Sequence, residues 1–253
     1  MIWIVLPAYN EAGNLPALGE GIARTMNGLG QPYRVVMVDD GSTDGTRSVA
    51  AALSARLPIR VLGHDHNHGL PAALLAAFRW VLPLAGQDDA IVTMDADNTQ
   101  PPELIPGMVA ALERGADVVV ASRYVAGADQ LGVPVLRRIL SRGARILLAV
   151  RFGLRGVRDY SSGFRMYRAR LLQAAVERYG SSLIATRGFA VMPELLVKLS
   201  VFHPKIAEVP LRLRYDRKQG RSKIRLARTI VEYLRLLVRP GVAPASAQGD
   251  RHG

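Results

Sequence analysis

The chain has 253 residues, 49% of them apolar, with 33 Lys and Arg against 21 Asp and Glu and no Cys, which excludes a disordered chain, a disulfide scaffold, a thiolate metal site and a cysteine nucleophile. The net charge of +12 is divided unevenly: residues 1–120 carry seven Arg and no Lys against thirteen acidic residues, a net −6, whereas 121–253 carry 26 basic against 8 acidic residues, a net +18. A basic half of that kind suits an anionic membrane surface or phosphorylated ligands; lacking aromatic interleaving and any nucleic-acid motif, it is not expected to bind nucleic acid.

Met1 leads directly into "IWIVLPAYN" with no basic n-region or cleavage site, so no signal peptide is expected, and no run of ~18 uncharged apolar residues predicts a membrane span. Up to about residue 123, short β-rich runs ("IWIVLPA", "RVVMVDD", "PIRVLG", "AIVTMDA", "DVVVASR") alternate with helical stretches near 14–28, 44–56, 69–84 and 102–114. This alternation predicts an α/β fold with a mainly parallel sheet flanked by helices. Polar clusters follow the carboxyl ends of four strands: Tyr9-Asn10-Glu11, Asp39-Asp40-Gly41-Ser42, Asp95-Ala96-Asp97 and Ser122-Arg123-Tyr124. Open α/β sheets bind ligands at that edge, so one site built from several loops is expected.

After residue 130 the pattern changes. Residues 136–155, "LRRILSRGARILLAVRFGLR", place an apolar stripe beside a basic face at helical spacing, and 223–239, "KIRLARTIVEYLRLLVR", repeats the arrangement. Two readings stand: a helix lying at a membrane interface, or a surface helix packed on its own domain. Residues 240–253, "PGVAPASAQGDRHG", read as a disordered tail, and no linker demands a second domain within 1–239.

Two motifs have the chemistry of metal sites. Asp95 and Asp97 flank a small Ala96, and alternate residues of an extended segment project to one side. A divalent cation on a diphosphate needs one or two carboxylates, although an isolated D-x-D also occurs on solvated turns. The alternating His64, His66 and His68 of "HDHNH" either converge on one ion or form a solvated loop.

The motifs "LPAYNEAGNL", "VDDGSTDGT", "MDADNTQPPE", "ASRY", "SSGFRMY" and "DRKQGRSK" occur in this order over about residues 2–235. Together they resemble family 2 glycosyltransferases of the GT-A fold, and within them the dolichol-phosphate, or polyprenyl-phosphate, mannosyltransferase branch. The resemblance implies one GT-A domain over 1–239, with a nucleotide-sugar half at about 1–125 and an acceptor- and membrane-facing half at about 126–239. Pro7, Tyr9, Glu11, Val38 and Asp40 would hold the nucleoside. Asp95, Ala96 and Asp97 would lie against the diphosphate, the two carboxylates holding Mg²⁺ or Mn²⁺, with Arg217 and Lys223 reaching the phosphates from the other side.

The acceptor is approached through its chemistry. A sugar hydroxyl needs a general base, whereas a phosphate monoester, with its second pKa near ~6, is already an anion at neutral pH and needs cations to position it. Arg123, Arg137 and Ser141 match the branch's acceptor-phosphate ligands in type and spacing. The resemblance therefore implies a metal-dependent, inverting transfer of a hexose, mannose from GDP-mannose as the best single expectation, to a polyprenyl phosphate. The enzyme would work peripherally at the cytoplasmic face of a membrane, reaching its lipid by its amphipathic segments or through a membrane-embedded partner.

This chain departs from the branch at one position. The Gln usually found two residues after the second Asp is Thr99, with Gln100 displaced by one, so Thr99 and Gln100 are both carried as candidate metal ligands. The alternatives are a family 2 enzyme using another nucleotide sugar of the UDP-glucose type or a glycan hydroxyl acceptor, and a non-catalytic nucleotide- or membrane-binding module. "SSGFRMY" either aims Arg165 at the site or packs Phe164 and Tyr167 in the core.

Overall fold

Strand β1 (Ile2–Ala8) sends alternate side chains into two interiors: Ile2, Ile4 and Leu6 join one apolar cluster, and Trp3 and Val5 the other. Strand β2 (Tyr33–Asp39) repeats the division, with Val35 and Met37 on one side and Val36 and Val38 on the other. A sheet buried on both faces produces this pattern, which needs helices above and below. The computed structural model describes residues 1–220 and 226–238.

Between these strands run α1 (Leu15–Leu29), α2 (Thr46–Leu53), β3 (Ile59–Gly63), α3 (Leu70–Val81), β4 (Ala90–Thr93), α4 (Ile105–Glu113) and β5 (Val118–Ser122). The elements expected up to residue 123 are therefore present. Strand β4 is shorter than "AIVTMDA", ending at Thr93 so that Asp95 and Asp97 lie on the loop beyond it.

The second half adds β6 (Asp129–Leu131), α5 (Val135–Phe152), β7 (Arg165–Arg168), α6 (Ala169–Tyr179), α7 (Val191–Ser200), β8 (Ile206–Pro210), β9 (Arg212–Arg214) and α8 (Leu226–Val238). The seven-stranded sheet has the order β3-β2-β1-β4-β7-β5-β8. Every pairing in it is parallel except those of β7, which runs antiparallel between β4 and β5. A separate parallel pair, β6 with β9, stands beyond the sheet.

Strand β7 was not expected from the sequence. Its Arg165 is fully buried, which the chain tolerates because the guanidinium donates to the Met192 and Tyr160 carbonyls, each at 2.6 Å. Phe164 and Tyr167 are core residues, so "SSGFRMY" has a packing role and Arg165 braces the interior. Helix α7 is buried along its whole length. Its Glu194 accepts from Lys198 Nζ at 2.6 Å, Thr186 Oγ1 at 2.7 Å and the Thr186 amide at 2.8 Å, pinning the segment before it.

Helix α5 exposes Val135, Leu136, Ile139, Ile146, Leu147 and Val150 among its arginines, and α8 exposes Ile230, Val231, Leu234 and Val238. Arg151 of α5 donates to the Leu237 carbonyl of α8 at 2.9 Å, so the two helices adjoin. No helix among the described residues is long and apolar enough to cross a membrane. Residues 240–253, expected to be a disordered tail, lie outside the described residues, as does Lys223.

Candidate active site

Four parallel strands deliver their following loops to one edge, and short-range polar chemistry ties those loops together. After β1, Asn10 takes a left-handed backbone (φ 53°) in a turn that Asn tolerates. Its amide donates to Ser42 Oγ at 2.9 Å, its Oδ1 accepts the Thr43 amide at 2.8 Å, and the Glu11 amide donates to Thr46 Oγ1 at 2.8 Å. Asn14 donates to Glu11 Oε2 at 2.6 Å and accepts the Gln219 amide at 2.8 Å. One buried amide thus joins the first loop to the 218–219 segment from the far end of the chain.

The carboxylates after β4 are held from both sides. The Asp95 amide donates to Gln100 Oε1 at 2.9 Å while Gln100 Nε2 donates to Asp95 Oδ2 at 2.8 Å, and Thr99 Oγ1 donates to Asp97 Oδ1 at 2.7 Å. Lys218 Nζ forms an ion pair with Asp97 Oδ2. Gly163 leaves room beside Asp95, since a Cβ there would stand 3.2 Å from Oδ1. Burial, and then the charge of Asp97, push the Asp95 carboxyl up to about 7. A pair of hard oxygen donors held this close suits Mg²⁺ or Mn²⁺, whose charge offsets both causes. In this geometry Thr99 and Gln100 orient the two carboxylates. The Gln100 carbonyl accepts the Asp95 N–H with one of its two lone pairs and lines the smaller cleft beside the two carboxylates.

Two clefts meet at that pair. The larger, of about 1090 Å³, is lined by Pro7, Tyr9, Glu11, Asp40, Ala96 and Lys218 together with Asp95 and Asp97. Its size is at the upper end of small-molecule sites, which run to about 1,000 Å³. The smaller is lined by Arg123, Arg137, Ser141, Thr99 and Gln100, again with Asp95 and Asp97, and Phe189 lines both. Arg123 and, from a second stretch of sequence, Arg137 and Ser141 therefore converge on one cavity beside the acidic pair.

Within the smaller cleft, Arg123 binds Asp159 through Nε and Nη2, each at 2.8 Å, and its Nη2 also donates to Ser161 Oγ at 2.7 Å. Burial alone raises the Asp159 carboxyl, but the Arg123 charge and its hydrogen bonds hold it below the ordinary carboxylate range. Burial alone would lower the Arg123 guanidinium, but the charge and hydrogen bonds of Asp159 push it above its usual value, so it keeps its proton. Arg137 donates to the Tyr215 hydroxyl at 3.0 Å and its guanidinium stands 5.2 Å from that ring's centre. Burial pushes the Tyr233 hydroxyl of α8, which hydrogen-bonds Ser161, up to about 12.

Two expected residues stand elsewhere. Val38 is fully buried in the core and lines neither cleft. Arg217 is exposed and lines neither cleft; the short 3-10 turn Tyr215–Arg217 carries it outward and leaves the next residue, Lys218, to reach Asp97. Asp40 lines the larger cleft, but its oxygens accept from His64 Nδ1 at 2.7 Å and from the His68 and Gly69 amides at 3.0 and 2.7 Å, so it anchors the 64–69 loop. Sequence reasoning did not single out Lys218, Asp159, Arg187 or Glu232, although Arg187 and Glu232 line the larger cleft. Lys218 lies inside the "DRKQGRSK" motif, whereas a lone Asp159 two residues before "SSGFRMY" carries no pattern.

Residues 3–175 match the sequence family described as Glycosyl transferase family 2. The chain is 33% identical over 237 residues to a dolichol-phosphate mannosyltransferase of Pyrococcus furiosus, covering 93% of this chain but only 62% of that protein. It is 31% identical over 223 residues to a polyprenol monophosphomannose synthase of Mycolicibacterium smegmatis, covering 87% of this chain and 80% of the relative. Among solved structures, glucosyl-3-phosphoglycerate synthase of Mycobacterium tuberculosis, in complex with phosphoglyceric acid, superposes with a TM-score of 0.66 at 25% identity over 94% of this chain and 79% of that one. The same enzyme with Mn²⁺ and UDP-glucose gives a TM-score of 0.65 at 24% identity, covering 94% and 78%, a likeness of fold.

Proposed function

The chain belongs to glycosyl transferase family 2, and from that membership we propose that it transfers a hexose from a nucleotide sugar to a polyprenyl phosphate at a membrane surface. The observation that carries this reading is the junction of the two clefts, with Arg123, Arg137 and Ser141 on one side of Asp95 and Asp97 and Tyr9, Glu11 and Lys218 on the other. The donor lies in the larger cleft as one GT-A domain's nucleotide-sugar site, with Tyr9 against the base and Glu11 accepting from base or ribose. The names of the relatives favour mannose, and GDP-mannose is the donor of this proposal.

Asp95 and Asp97 would hold Mg²⁺ or Mn²⁺, which supplies Lewis-acid stabilisation of the charge on the departing nucleoside diphosphate. Lys218 adds a point charge to the same side. The acceptor phosphate is already an anion and requires positioning, which a guanidinium fork and a hydroxyl provide. Among the described residues lining the smaller cleft, the only carboxylates are Asp95 and Asp97, and there is no His. A hydroxyl acceptor, which needs a general base, is therefore served less well. Direct attack by the phosphate oxygen inverts the anomeric carbon, so an α-linked donor yields a β-linked lipid phosphosugar.

The lipid is reached from the membrane surface at the cytoplasmic face. The apolar residues exposed on α5 and α8 enter the headgroup boundary, with the arginines of α5 against anionic lipid. A membrane-embedded partner would serve the same end. Arg137→Ala tests the acceptor assignment: with polyprenyl phosphate varied at saturating donor, its KM is expected to rise about tenfold to 100-fold while the KM for the nucleotide sugar stays within about twofold. Equal losses for donor and acceptor would remove Arg137 from the acceptor site.

A further inference from the structure

We propose that Asp65, His66 and His68 form a second metal site, for a borderline divalent transition cation such as Zn²⁺, on the loop at the rim of the larger cleft. Among the described residues this trio is the one group whose His and carboxylate ligand atoms gather closely, all within 4.8 Å of one another. Asp65 Oδ1 is 2.9 Å from His66 Nδ1 and 3.1 Å from His68 Nε2. Zinc-bound ligands at about 2.0–2.1 Å in tetrahedral array stand about 3.4 Å apart, so both contacts are near that spacing before any side chain turns. The two imidazole rings lie 4.0 Å apart at their centres and are tilted by 35°, leaving the remaining pair to close by a rotamer adjustment.

The trio is not the one that alternation alone suggests. His64 is withdrawn from it, since its Nδ1 is held at 2.7 Å by Asp40. Asp40 at the same time accepts the His68 and Gly69 amides, and so sets the backbone from which His68 projects. Gly41 fixes the other end: its φ is +69°, and a Cβ there would come within 2.3 Å of the His66 carbonyl carbon, so the loop lies directly on this glycine. The ligands are exposed, but the backbone carrying them is tied to the fold at two points.

Ligand type separates this site from the acidic pair. Two imidazoles and one carboxylate favour Zn²⁺, Co²⁺ or Ni²⁺, whereas Asp95 and Asp97 offer oxygen only and suit Mg²⁺ or Mn²⁺. His68 and Asn67 also line the larger cleft, so a cation bound here stands at its entrance. The site is independent of the proposed reaction.

The test uses the full chain in excess Mg²⁺, titrated with Co²⁺ while the visible d–d absorption and the imidazole ¹⁵N resonances are followed. The expected result is saturable binding with His66 and His68 resonances perturbed ahead of His64 and His203, lost at least about tenfold in His66→Ala/His68→Ala and retained in Asp95→Asn. The double variant should unfold at the wild-type temperature, because both side chains are exposed. No binding at millimolar Co²⁺, binding unaffected by the double substitution, or binding abolished by Asp95→Asn would each overturn the proposal.

Discussion

Asp95→Asn is expected to lower sugar transfer by about 10³-fold while leaving the fold at least as stable as wild type. The catalytic loss follows from the position of the carboxylate at the junction of both clefts. In the proposed reaction, removing its charge would weaken the hold on the cation that offsets the leaving diphosphate, and about 4 kcal/mol of transition-state stabilisation corresponds to that factor. The stability follows from the same burial. Asp95 is pushed up to about 7 by desolvation and by Asp97, so above that pH its ionised form is a strained element of the metal-free protein. Asn has the same shape and retains an oxygen for Gln100 Nε2, and Lys218 keeps its partner Asp97. Thermal unfolding in chelator, measured beside the activity assay, separates this outcome from simple misfolding; a variant that loses activity only because it melts early would contradict it.

Asp159→Asn is expected to act in the opposite sense on stability, destabilising the protein by about 3–5 kcal/mol, or of the order of 10 °C in melting temperature. Asp159 is fully buried and receives Arg123 through two side-chain contacts and its amide at 3.1 Å, along with the Ser162 amide at 3.0 Å. The neutral amide leaves the Arg123 guanidinium without its compensating charge. The pH dependence follows from the depressed pKa: the stabilisation is complete above the ordinary value of 3.8 and is lost as pH falls below it through the folded-state value. Acid unfolding of wild type should therefore contain a component that Asp159→Asn lacks. Because Arg123 also lines the cleft proposed for the acceptor, the variant should raise the KM for lipid phosphate even at temperatures where it stays folded.

What could be read in the sequence, and what could not, divides along physical lines. Strands β1, β2, β4 and β5 are continuous apolar runs because both faces are covered, and each ends in a polar cluster, so the sheet and its functional edge were legible together. Arg123 was reached through the "ASRY" motif and Arg137 and Ser141 through their type and spacing on the amphipathic segment, and the three share a cavity. Strand β7 was hidden because "RMYR" looks like surface: nothing in the run announces that Arg165 will be buried against the carbonyls of Tyr160 and Met192. Helix α7 hid in a similar way, its buried Glu194 and Lys198 neutralising each other four residues apart as an exposed pair would. Val38 and Arg217 illustrate the limit of motif transfer. Each belongs to a motif that reaches the site, but the side chain of Val38 is enclosed in the core and the turn at 215–217 carries Arg217 outward, so other members of those motifs face it.

The central claim is transfer to a lipid phosphate, and a donor screen with polyprenyl phosphate addresses it most directly. Purified protein, Mn²⁺ and vesicles containing polyprenyl phosphate are incubated with each radiolabelled nucleotide sugar in turn, with unphosphorylated polyprenol as the matched control. The expected result is label passing into the organic phase from one donor, GDP-mannose, only when both the phosphate and the cation are present. Label that appears equally with polyprenol, or that stays in the aqueous phase for every donor, would contradict the account.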